Sequence, residues 1–126
     1  MTGHGTRISN FQDLQLNFFE ILVSGQVVEI QDQAGQMLSI MLPQPVFTRI
    51  FGSASRYHFF NFNKDYLLEA RQANVIGPVA NRLVDLMWSE LKSQGVFHFS
   101  SNDSIGDVYW MLRADYEALL ENFKRK

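Results

Sequence analysis

VVEIQDQAGQMLSIML, residues 27–42, sets apolar and polar side chains in alternation on either side of a polar, glycine-containing tetrad. A period of two belongs to strands, because successive side chains leave a strand on opposite faces. DQAG (32–35) suits a turn that ends in a left-handed glycine. The stretch reads as a hairpin in which Val28 and Ile30 share a face with Leu38, Ile40 and Leu42 of the return strand. Pro43 and Pro45 end the ladder, because proline has no amide to give it.

Upstream of the hairpin, Phe11, Leu14, Phe18, Ile21 and Leu22 recur at helical spacing, with Ser9 and Gln12 placed as a capping box and Gly25 as a stop. The spacing predicts a helix over about 10–24. Residues 1–8 are small and polar and read as a flexible tail, which leaves 9–126 as a single domain. Downstream, Val46, Phe47, Ile50 and Phe51 suggest one or two helical turns. RYHFFNF (56–62) reads as a strand with apolar residues on both faces, expected to lie centrally. KDYLLEARQAN (64–74) is helical in composition, and Gly77-Pro78 breaks it before a second helix whose stripe is Val79, Leu83, Leu86, Met87 and Leu91. Residues 96–100 and 106–112 form a second hairpin across SNDSIGD. Asp115 caps a last helix carrying Tyr116, Leu119, Leu120 and Phe123.

The order is α-β-β-(x)-β-α-α-β-β-α. Hairpins imply antiparallel pairing, so the expected fold is α+β: one antiparallel sheet of about four or five strands packed against helices. No sequence repeat is visible.

Composition narrows the function classes. The 126 residues are 46% hydrophobic and 13% aromatic, ample for one core. A net charge of −2, mixed along the chain, gives no field for nucleic acid or an anionic membrane. There are no cysteines, which removes disulfides, thiolate metal sites and cysteine nucleophiles, and fits a reducing compartment. The N-terminus lacks the apolar core of a signal peptide, and no apolar window is long enough to span a bilayer. A cytoplasmic protein without a cofactor is expected.

Two histidines carry the alternative reading. His58 lies in RYHFFNF beside Arg56, and His98 in VFHFS, each flanked by aromatics. Should the two strands pair in register, Arg56, His58 and His98 would line a ligand-binding or catalytic pocket. A metal site would need a third ligand, for which Asp103 or Asp107 is placed. Catalytic signatures are otherwise missing: there is no G-x-S-x-G, no phosphate-binding glycine loop and no carboxylate pair in apolar surroundings. Helices 64–94 imitate a helix-turn-helix through Ala73, Gly77 and Leu83. Pro78 after the turn, and a second helix with one arginine and two acids in its body, suit phosphate contacts poorly.

Apolar residues assigned to the outside of the core give the stronger signal. Met37 and Met41 oppose the Leu38/Ile40 face; Phe59, Trp88 and Trp110 fall beside or opposite the main stripes. If the sheet has one covered face, these form a protein interface.

The opening helix LQLNFFEIL (14–22), the hairpin at 27–42 and the closing pair VYWMLRADYEALLENF (108–123) follow an order similar to that of the small secretion chaperones of type III systems, which are α-β-β-β-α-β-β-α. The resemblance implies a dimeric protein that binds another protein. The functional expectation is a non-enzymatic protein-binding domain of chaperone, immunity or adaptor type, forming a homodimer and engaging a further protein.

Overall fold

A computed structural model describes residues 6–52, 59–75 and 80–124. Its strands are β1 (Thr6–Ser9), β2 (Val27–Gln31), β3 (Met37–Pro43), β4 (Phe60–Asn63), β5 (Phe97–Ser100) and β6 (Val108–Leu112). Its α-helices are α1 (Phe11–Leu16), α2 (Phe18–Leu22), α3 (Gln44–Phe51), α4 (Lys64–Gln72), α5 (Ala80–Gln94) and α6 (Arg113–Lys124). The fold is α+β, built on one six-stranded mixed sheet in the order β1-β2-β3-β6-β5-β4.

Both hairpins form, and β3 pairs antiparallel with β6 at the centre of the sheet. The edges depart from expectation. Residues 6–8, read as tail, form β1 together with Ser9 and pair parallel with β2, and β4 pairs parallel with β5. A helical crossover follows each edge strand, and such a crossover is what parallel neighbours require. The strand expected to lie centrally is therefore an edge strand in its described part, β4, where Phe60 meets Phe97 and Phe62 meets Phe99; residues 56–58 lie outside the described residues. The first helix is broken at Asn17, whose side chain turns back to Asp13 and whose dihedrals leave the helical region. The helical turns suggested by Val46, Phe47, Ile50 and Phe51 belong to α3, which starts directly after Pro43.

The register of the first hairpin corrects a second reading. Val28 stands opposite Met41 and Ile30 opposite Ser39, with a register shift between Ile30 and Gln31. Opposed residues share a face. Val28, Ile30 and Met41 thus point one way, and Ile40 and Leu42 the other.

Helices cover both faces. Val28, Ile30, Met41, Phe97, Phe99 and Trp110 meet Leu14, Phe18, Leu22, Leu67, Met87 and Leu91 of α1, α2, α4 and α5. Ile40, Leu42, Tyr109 and Met111 meet Phe47 and Phe51 of α3, with Tyr116, Leu119 and Leu120 of α6 packed against them. Trp110 is the hub of the first layer: its ring lies about 6 Å from Trp88, Phe97, Phe99 and Phe18. Its indole N–H donates to Ser39 Oγ at 3.0 Å, so the buried donor is satisfied.

The two halves of the chain repeat one unit, β-α-α-β-β-α. Phe97 stands 69 positions after Val28, and Trp110 69 after Met41; Val28 faces Met41 as Phe97 faces Trp110. The same offset relates Glu29–Ile40 to His98–Tyr109 and Ile30–Ser39 to Phe99–Val108. At the edges the offset is 53: Arg7 faces Val28 and Phe60 faces Phe97, Asn10 and Asn63 cap the helices that follow, and Leu14 and Leu67 are both buried. A pseudo-twofold axis passes through the sheet between β3 and β6. The repeat escapes the sequence because the shared property is position in the layers; a valine matches a phenylalanine and a methionine matches a tryptophan.

Candidate functional site

His98 projects from β5 towards the α3/α6 layer, because Phe97 and Phe99 on either side of it point into the other layer. Its ring stacks on Tyr109, with centroids 4.6 Å apart and planes 4° from parallel, and meets Phe59 edge-on at 6.1 Å. Nδ1 lies 2.7 Å from Asn61 Oδ1 and Nε2 2.8 Å from Asp107 Oδ2. Asp107 is a junction: Oδ1 accepts from the Ser101 amide at 2.9 Å and from Ser101 Oγ at 3.4 Å, and its backbone carbonyl accepts from the Gln44 amide at 2.8 Å. Asp103 caps the short 3₁₀ turn Ser104–Gly106 that delivers Asp107 to this place.

This network ties β4, β5, the β5–β6 loop and the start of α3 together. It also defines what His98 can do. A general base or a metal ligand needs a free ring nitrogen. Both nitrogens here face acceptors on the protein. With Asn61 Oδ1 and Asp107 Oδ2 as acceptors the ring carries two N–H groups; with the Asn61 amide turned over, its NH₂ donates to a neutral ring. Each assignment leaves no nitrogen open. Burial pushes the Tyr109 phenol up to about 12, and the Asp107 charge adds to the effect.

The expected site residues are distributed as follows. Arg56 and His58 lie outside the described residues. Strand β4, which follows them in the chain, does run beside β5, and there the residue opposite His98 is Asn61. Asn61 was missed because sequence alternation does not disclose a parallel partner. Met41 and Trp110 are 1% and 0% exposed, inside the α1/α2/α4/α5 layer, and offer no surface. Trp88 packs on Phe11 and Trp110, Met37 borders the α3/α6 layer, and Phe59 packs on Phe47 and Tyr109; all three are half-buried. The five therefore do not form one patch. Among the described residues no group of three His, Asp or Glu is arranged to hold a metal ion, and no helix is long and apolar enough to cross a membrane.

No known protein family matches this chain, and no curated protein or solved structure does either.

Proposed function

We propose that the chain is a non-enzymatic protein-binding domain that takes an extended segment of a partner along the outer side of β4. The observation that carries this is the state of that edge. A free edge strand presents unpaired amides and carbonyls to any passing strand. Proteins commonly blunt such edges with lysine, proline, bulges or charge. β4 reads FNFN and carries no charge and no proline. Phe60 is 38% exposed, and Asn61 and Asn63 are exposed too. The opposite edge differs: β1 carries Arg7, held by Asp13 at 3.1 Å. Since the Phe60 amide donates inward to Val96 O, the Asn61 amide faces away from the sheet. Strand addition at such an edge joins main chains by hydrogen bonds and uses alternate side chains for specificity.

The occupied nitrogens of His98 speak against the catalytic alternative. A homodimer arises from the same edge if a second β4 is the added strand. A photoreactive phenylalanine analogue in place of Phe60, irradiated in the native host, tests the proposal together with sedimentation of the purified chain. Adducts at position 60, to a partner or to a second copy, that disappear with an Asn61→Pro change support it. A monomer at every concentration that yields no adduct sinks it.

A further inference from the structure

Each parallel strand pair opens into a cleft at its carboxyl ends, where sheets of this kind commonly hold ligands. One, of about 410 Å³, lies beside Asn10, Asp13 and Asp32. The other, of about 480 Å³, lies beside Lys64, Asp65, Glu69, Ser101, Asn102 and Asp103. The two occupy equivalent positions about the pseudo-twofold axis: Asp32 precedes Ser101 by 69 positions, and the cap Asn10 precedes the cap Asn63 by 53. They differ at the first residue of the helix. Phe11 there packs on Trp88, while its counterpart is Lys64.

Lys64 is 7% exposed and yet lines the cleft. Its ammonium donates to the Gly106 carbonyl, its one acceptor among the described residues. An ammonium has three N–H groups to satisfy, and no carboxylate lies within ion-pair distance of this one among the described residues. A buried ammonium is favoured by an opposite charge placed beside it. Gly106 makes the arrangement possible: a Cβ there would come within 2.9 Å of Ser101 Oγ and 3.3 Å of Lys64 Nζ. Three carboxylates flank the same cleft. Asp65 spends one oxygen on the Asn102 amide and Asp103 one on the Ile105 amide. Glu69 is exposed.

A bare anion would meet three like charges, and a bare cation would meet Lys64. We propose that this cleft binds a small zwitterion with an additional cationic group, of the basic amino-acid class. The ligand carboxylate completes the Lys64 ammonium, and the cationic groups face Asp65, Glu69 and Asp103. This site is separate from the outer side of β4.

The probes are L-arginine, agmatine (which lacks the carboxylate) and acetate (which lacks the cations), titrated into the full chain and followed by amide chemical shifts and calorimetry. Arginine is expected to move the amides of Lys64, Ser101 and Asn102 saturably, with agmatine and acetate at least about tenfold weaker, since each forfeits a charge-assisted contact. Lys64→Met abolishes the preference for arginine over agmatine. Glu69→Gln, on the exposed rim and harmless to folding, weakens arginine binding several-fold and leaves acetate unchanged. The proposal is overturned if arginine gives no saturable shift, if agmatine binds as well as arginine, or if Glu69→Gln leaves arginine binding unaltered.

Discussion

Replacing Asp107 by alanine and by asparagine separates its charge from its hydrogen bonds. Alanine removes the acceptor for the Ser101 amide at 2.9 Å and for His98 Nε2 at 2.8 Å, in a side chain only 10% exposed. A hydrogen bond to a charged group contributes about 1.5–3 kcal/mol. Ser101 is half-exposed and recovers part of its loss from water, so the net cost for alanine is about 3 kcal/mol. Asparagine keeps an oxygen for Ser101. Its NH₂ then faces His98 Nε2, which becomes an acceptor once the ring proton moves to Nδ1 and points at Asn61 Oδ1. The cost for asparagine is about 1 kcal/mol, chiefly the lost charge. With a urea slope near 1.5 kcal/mol per molar, the midpoints fall by about 2 M and about 0.7 M. Far-ultraviolet circular dichroism during urea titration reads both. A third variant, His98→Ala with Asp107→Ala, should cost less than the two single changes together, by about 1 kcal/mol, because the pair is coupled. Equal midpoints for the alanine and asparagine variants, or a strictly additive double variant, would refute the idea that Asp107 holds His98.

Three further outcomes are expected. Tyr109 should ionise near pH 12, seen as late-appearing tyrosinate absorbance. A phenol raised from 10 to about 12 in the folded state adds roughly 2–3 kcal/mol that is fully present below pH 10 and is lost as the pH rises through 12, so alkaline unfolding falls in that window. Trp110→Ala should cost about 3–5 kcal/mol, measured by thermal denaturation, because the hub side chain is completely enclosed and its ring contacts are lost at once. Joining Lys126 to Met1 and opening the chain between Ala54 and Ser55 should give a permutant within about 1 kcal/mol of the parent by urea denaturation. The pseudo-twofold axis sets Leu120 and Thr6 as Phe51 and Phe59 are set. Beyond the end of α6 at Lys124, residues 125–126 with 1–5 provide seven positions for that join, as many as 52–58. A permutant that does not fold would mean that the last turn of α6, which α3 lacks, keeps the join from closing.

Local chemistry was legible where it decided structure by itself. The alternation around DQAG specified the first hairpin, the polar SNDSIGD run the second, and the stripe through Leu83, Met87 and Leu91 the long α5. The edges were not legible. Four residues at 6–9 are too few to show a period, and a parallel partner sits beyond a helical crossover where no local signal reaches. Coverage was misjudged for a related reason. Met41 and Trp110 are apolar on the side opposite Ile40 and Tyr109, and a sequence cannot say whether that side meets water or a second layer of helices. His98 was found by its aromatic neighbours, whereas Asn61, 37 positions earlier, becomes visible only once β4 lies beside β5.

The placement of the two tryptophans has an optical consequence. Trp88 and Trp110, the chain's only two, lie 6.0 Å apart in the α1/α2/α4/α5 layer. Selectively excited tryptophan fluorescence therefore samples that side of the sheet, whereas Tyr109 and Tyr116, two of the four tyrosines, bring the other side into the tyrosine absorbance. Following one denaturation with both signals asks whether the two layers melt as one body or in turn.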